Sequence, residues 1–186
     1  MLKKMFLKWK LKQKNIIIDQ NTFLDAKDVI FTGEKTTSYG AFISSSNVSG
    51  HLSLGEGTKI WGAVVAGNVT LERFSSVSGP STWIRGFFDG VRIGAFSSIG
   101  MNCVILDYNH RFNSASQFNM NTQFFDAEYK NDLENKGKIV IEEDVWIGGK
   151  YNCIGGVYNR PRRNNWCWKC RDKECTALLS LCGFSC

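Results

Sequence analysis

His51 and His110 are the only histidines in this 186-residue chain, and the second stands among residues that could do chemistry. The run Asp107-Tyr108-Asn109-His110-Arg111-Phe112 opens a polar, aromatic stretch. An imidazole changes charge near neutral pH, so it can take a proton from a hydroxyl as a bond forms and return it to a leaving group. Asp107, Asn109 or a backbone carbonyl would then fix which ring nitrogen carries the proton. A lone histidine in a polar loop is more often simply solvated, so the elements around His110 have to decide its role. His51 lies among less regular residues, and a structural role is expected for it.

Cysteine suggests other chemistry. Five of the seven cysteines fall in the last twenty residues, and Cys167-x-x-Cys170 has the spacing of half a zinc site. Both histidines lie far upstream, and the onward spacing through Cys175, Cys182 and Cys186 matches no ligand pattern, so no metal is expected. Disulfides are disfavoured in a chain without a secretion signal. Cys103 is a conceivable nucleophile, but it falls at a small inward position of the pattern described next, where packing is the better reading.

The elements that position these residues follow from a repeat. Between Leu54 and Ile147 an aliphatic or bulky residue recurs every six positions, often followed by glycine. The frame is clearest in Ile93-Gly94-Ala95-Phe96-Ser97-Ser98, Ile99-Gly100-Met101-Asn102-Cys103-Val104 and Ile105, and it returns in Ile141-Glu142-Glu143-Asp144-Val145-Trp146 and Ile147-Gly148. Looser copies begin at Leu54 and Leu71. The fifth position holds Thr58, Val64, Ser75, Ser81, Ser97, Cys103 or Val145. A period of six is a multiple of the strand period and cannot be one face of a helix, so short strands are implied. If six residues make one side of a triangular coil, the aliphatic residue points to the axis, the small fifth residue fits a corner, and roughly eighteen residues close a turn. An antiparallel sandwich would share the composition but has no reason to keep a fixed frame.

The frame stops after Ile105 and resumes at Ile139 or Ile141, leaving an excursion that contains His110. A long loop inside a compact domain is usually functional. The expected organisation is a basic N-terminal segment and cap over residues 1–40, coils over 41–106, the excursion over 107–138, resumed coil over 139–149 and an aberrant tail over 150–186.

These motifs resemble the transferase hexapeptide repeats of sugar and xenobiotic O-acetyltransferases, over residues 40–149. The resemblance implies an all-β fold, a left-handed parallel β-helix with an N-terminal cap and a catalytic loop excursion. It implies a homotrimer that moves acetyl from acetyl-CoA to a sugar hydroxyl, as in cell-surface polysaccharide assembly, by direct transfer in a ternary complex. It places the catalytic base on His110, facing the acetyl donor across a subunit boundary, with a backbone amide stabilising the tetrahedral oxyanion. Asp107, Tyr108, Asn109 and Trp146 fall on the acceptor side, Trp146 and Gly148 beside coenzyme A, and Tyr108, Phe112, Phe124 and Phe125 near the acceptor pocket. Outward stacking on the next coil is the alternative for Trp146. The rivals are an acyltransferase for an amino sugar or antibiotic, and a non-catalytic β-helix that binds or supports. Carbonic anhydrase relatives need more histidines than His51 and His110 supply.

Composition bounds the rest. A hydrophobic content of 43% suffices for one domain with a true core. No apolar run approaches the roughly 18 residues of a membrane span, so a cytoplasmic protein is expected. The net charge of +6 gathers at the two ends. Residues 2–14 interleave lysines with Met5, Phe6, Trp9 and Leu11, which suits either a helix capping the first coil or one lying on an anionic membrane surface. Nucleic-acid binding is not expected, since no binding module accompanies the charge.

After Gly148 the six-residue pattern collapses at one point. Reading codons from their second base forces glycine from the Trp codon and valine or alanine from Cys codons. Permitted codons then give I-G-R-G-A-I-I-G-A-G-S-V-V-T-K for 159–173 and S-V-P-P-Y-Y-P-Y-V-G-F-P-A for 174–186, which is the usual ending of the family; 150–154 give S-T-I-V-L. In relatives this region forms much of the coenzyme A groove, so a slipped frame would weaken donor binding and uncap the last coil. Sequencing the gene across codons 148–186 should reveal the slip, and a clean in-frame reading of the residues as written would dismiss it.

Overall fold

The computed structural model describes residues 2–33, 39–111, 113–114, 116, 118–154, 158–159 and 164–165, the last two pairs as backbone strands. Strand dominates, and both large sheets are parallel. One sheet stacks Ile16–Ile18, Ala41–Ser44, Lys59–Trp61, Ser76–Ser78, Ser98–Ile99, Trp146–Ile147 and Asn164–Asn165 in that order. The other runs from Phe23–Phe31 through Asn47–Leu54, Val64–Leu71 and Trp83–Ile93 to Val104–Leu106 and Asn152–Ile154, with Ile139–Ile141 also on Trp83–Ile93 and Tyr158–Asn159 on Ile139–Ile141. Each return of the chain therefore pairs with the return before it, and stacking begins at Ile16, well ahead of residue 41.

The six-residue frame becomes rows of buried side chains. Ile43, Ile60, Val77, Ile99 and Ile147 stand in register in the first sheet. In the second, Val48, Val65, Ile84, Ile105 and Cys153 form one row, and Leu54, Leu71, Ile93 and Ile141 another. All are buried. β-branched residues suit these positions because their stiff side chains pack along a pleated surface. Each contributes on the order of 1.5–3 kcal/mol by leaving water.

The corners correct one detail of the sequence frame. Thr58, Ser75, Ser97, Cys103 and Val145 are buried there as expected, but Val64 is half-buried and Ser81 exposed, and Ala63 and Thr82 fill the corner instead. The reason is a backbone rule. A residue with positive φ precedes each corner residue: Gly57 before Thr58, Phe74 before Ser75, Phe96 before Ser97 and Asp144 before Val145 in one series, Gly62 before Ala63, Ser81 before Thr82 and Asn102 before Cys103 in the other. The left-handed turn swings the next residue inward, so the corner is set by the turn and not by counting from the last aliphatic residue. The buried hydroxyls find carbonyls: Thr58 Oγ1 donates to Gly55 O at 2.9 Å, Ser75 Oγ to Glu72 O at 2.6 Å and Ser97 Oγ to Glu142 O at 2.8 Å.

A further corner, within the long strands of the second sheet, is built on glycine. Gly50, Gly67 and Gly86 lie in register, and a Cβ on Gly67, whose φ is +82°, would sit 2.1 Å from Gly86 O. Long strands thus turn here without breaking.

Helix Leu2–Lys12 covers the first return of the chain. Leu11 is buried and Leu7 packs on the core, whereas Phe6 and Trp9, with ring centroids 5.8 Å apart, are exposed beside Lys10. An isolated helix of this length is marginal in water, so docking holds it. The helix thus docks through Leu7 and Leu11, and Phe6, Trp9 and Lys10 stay exposed. Among the described residues no helix is long and apolar enough to cross a membrane.

At the far end, residues 159 and 165 pair in register with the buried Ile141 and Ile147. The sequence as written has asparagine at both positions, and the shifted reading has isoleucine. Tyr151 likewise extends the small corner series of Ala63, Thr82 and Cys103, where the shifted reading has threonine. The remainder of the tail, including Cys167 and Cys170, lies outside the described residues. Asn159→Ile with Asn165→Ile should raise the thermal midpoint of the full chain by several degrees, corresponding to roughly 1–3 kcal/mol per site. An unchanged or lowered midpoint in calorimetry would mean these positions do not extend the buried rows.

Candidate functional site

The regular stack is interrupted twice at the glycine corner, on neighbouring returns. Gly67 pairs with Gly86 and Val69 with Val91, so Phe87, Phe88 and Asp89 are pushed out as an insertion. On the next return the chain leaves after Leu106 and rejoins at Ile139.

Asp107 joins the two interruptions. Its carboxylate is buried and accepts hydrogen bonds from the backbone N–H of Phe87 at 2.7 Å, Phe88 at 2.9 Å and Gly90 at 2.7 Å. Bonds from N–H to an ionised carboxylate are the stronger kind, and three of them fix the shape of the insertion. Asp107 thus holds a loop, and its oxygens face the 87–90 backbone.

The excursion is organised rather than irregular. Asn109–His110 pairs antiparallel with Leu133–Glu134, placing His110 opposite the buried Leu133. Arg111 Nε donates to Leu133 O at 3.0 Å. Helix Met120–Phe124 is held by Asp132, which accepts from the N–H of Asn121 at 3.0 Å and Thr122 at 2.8 Å, from Asn121 Nδ2 at 2.9 Å and from Thr122 Oγ1 at 2.6 Å. Burial alone would raise the Asp132 pKa, but the bonds from Thr122 and Asn121 outweigh it and hold the carboxyl at about 2.

His110 emerges from this framework exposed. Its backbone N–H is held by Asn109 Oδ1 at 2.8 Å, and no hydrogen bond of its imidazole is seen among the described residues. Asn109 therefore orients the backbone of His110. Tyr108, two residues earlier, lines a cleft of about 300 Å³ together with Ser49, Ala66, Gly67, Arg85, Phe87 and Tyr129. The rings of Tyr108 and Tyr129 lie 5.8 and 6.2 Å from that of Phe87, both edge-on.

Of the residues singled out in the sequence, Asp107, Tyr108, Asn109 and His110 come together. Trp146 and Gly148 do not join them: Trp146 lies on the first sheet, exposed in an outward row with Ser76 and Ser98, while His110 leaves the end of the second. Phe124 and Phe125 are exposed and line no part of the cleft. Phe112 lies outside the described residues. His51 is exposed in an outward row between Asp28 and Asn68. The Cys103 thiol is buried against Gly148 O at 3.2 Å, and burial raises its pKa despite an opposing backbone bond, which keeps it a thiol. Among the described residues no group of three His, Cys, Asp or Glu side chains is placed to hold a metal.

Arg85, Phe87 and Tyr129 were not singled out in the sequence. The signal was present in part: nine positions separate Ile84 from Ile93, where the preceding return needs six between Val65 and Leu71. The distant Tyr129 had no such sign. Comparison of the chain with protein-family models, with curated proteins and with solved structures finds no match.

A carboxylate with a depressed folded pKa stabilises structure above its unfolded value near 4, and that contribution is lost as pH falls through the folded value. Amides of residues 119–125 should therefore exchange faster between pH 4 and about 2, after correction for intrinsic rates, while the rows of the stack stay protected. Asp132→Asn should reproduce the local loosening at pH 7, and equal exchange in the variant and the parent chain would show that Asp132 does not hold the helix.

Proposed function

We propose that this chain is an acetyl-CoA-dependent O-acetyltransferase acting on a sugar hydroxyl in cell-surface polysaccharide assembly, with His110 as its general base. The observation that carries the reading is the exposed His110, held on a paired strand at one level of a parallel stack, two residues beyond the cleft-lining Tyr108.

The finer fold belongs to the same proposal. The buried rows, the left-handed corner residues and the glycine corner suit a three-sided left-handed parallel β-helix. Crossovers between parallel strands are right-handed in most proteins, so this handedness is a specific claim. A homotrimer is part of it, because Trp146 and Gly148 sit on a different sheet from His110 in the same chain. A neighbouring subunit would bring one chain's Trp146 and Gly148, with the donor, to another's His110.

In this scheme the neutral imidazole accepts the acceptor hydroxyl proton as the oxygen attacks the thioester carbonyl. The same proton then passes to the departing thiolate. A backbone amide of an adjoining coil bears the oxyanion. Tyr108 lies on the acceptor side, and the 107–110 run sets the reach of His110. The work is placed in the cytoplasm, with Phe6, Trp9 and Lys10 of the capping helix meeting the inner membrane face. A non-catalytic binding module is the second reading, favoured by a cleft whose walls are complete without His110.

Coenzyme A release from acetyl-CoA with a panel of sugars, measured for the chain as written and for one with the shifted-frame ending, provides the test. The restored chain should sediment as a trimer and turn over, and His110→Ala should lower the rate by about 10²–10⁴-fold without changing assembly. Folded, trimeric and inactive protein would favour the binding module.

A further inference from the structure

The cleft is lined by a residue with an unpaired donor. Arg85 lines it, and the Arg85 Nε, though buried, has no acceptor among the described residues. No lining residue is acidic. Asp107 enters the same corner, but its oxygens are committed to the amides of Phe87, Phe88 and Gly90. The guanidinium lies 4.6 Å from the centroid of the Trp83 ring, which braces its plane. A buried charged donor without an acceptor is costly, and a braced guanidinium is suited to a planar or tetrahedral oxyacid through paired N–H bonds.

The walls and floor restrict what can carry that acid. Ser49 and Ala66 stand in register with Arg85 along the outward face of the strands, and their small side chains leave the space beside it open. Phe87, Tyr108 and Tyr129 line the cleft, the two tyrosine rings edge-on to that of Phe87. Aromatic faces receive the C–H side of a sugar ring, while hydroxyls serve its rim. A volume of about 300 Å³ is at the lower end for small-molecule sites and suits one ring rather than a nucleotide.

We propose that this cleft binds an acidic pyranose, its ring against the aromatic walls and its carboxylate or phosphate on Arg85. The inference deepens the proposed function by naming the acceptor class and rests on that reading for catalysis alone. Binding needs no acetyl donor.

Calorimetric titration of the full chain, without acetyl-CoA, should use glucuronic acid and glucose 6-phosphate, with glucose, acetate and inorganic phosphate as comparisons. At least one acidic sugar should bind roughly tenfold or more tighter than glucose and than its own free anion, as expected for charge-assisted bonds to Arg85. The two acids separate a carboxylate from a phosphate source. Arg85→Gln should erase the advantage over glucose, and Tyr129→Ala should weaken every sugar. Equal binding of glucose and both acids, free anions binding as tightly as the sugars, no binding of either acid at millimolar concentration, or insensitivity to both cleft variants would overturn the proposal. Acid-sugar binding without any acetyl transfer would keep the cleft assignment and remove the transferase.

Discussion

Register between successive parallel returns of the chain is the constraint on which everything else rests. Ile43, Ile60, Val77, Ile99 and Ile147 bury one another only because each strand arrives in step with the one before it. A slip of one residue in any return would turn its aliphatic residue to solvent and its polar neighbour inward. The corner residues prevent the slip. Gly62, Ser81 and Asn102 adopt left-handed backbone, and each delivers a small residue to the interior at the start of the next side. Such backbone costs a non-glycine residue about 1–2 kcal/mol, which the buried rows offset.

A stack so constrained leaves few places to build a site. Its faces are ordinary strands, and its interior is filled. Added residues are accommodated at a corner, where they lengthen a turn without disturbing the rows on either side. Both additions occur at the glycine corner, and Asp107 ties the small one at 87–89 to the large one that carries His110. The cleft exists because two successive returns bulge at the same corner while the strands beneath present Ser49 and Ala66.

Polar burial separates the structural groups from the available ones. Asp107 and Asp132 each accept several hydrogen bonds from the backbone they organise. Thr58 and Ser75 are answered by carbonyls of their own corners, and Ser97 by Glu142 O of the next return. Arg85 differs, since its buried Nε has no such partner among the described residues. Asn119 Oδ1 and Glu134 Oε1 are likewise buried without a hydrogen bond among the described residues, but neither residue lines the cleft.

The sequence by itself determined short strands in a six-residue frame and the identity of most inward residues. These are local or periodic, and a period of six survives in the order of residues. It also showed where the period fails, before Asn159. Only the tertiary structure decided that Ala63 and Thr82, not Val64 and Ser81, fill the corner, because backbone φ and not spacing sets that choice. It alone separated Trp146 from His110 and brought Tyr129 to Arg85 and Phe87. Those placements depend on which sheet a residue joins and on where a thirty-residue excursion folds back, and neither leaves a mark at fixed spacing in the chain.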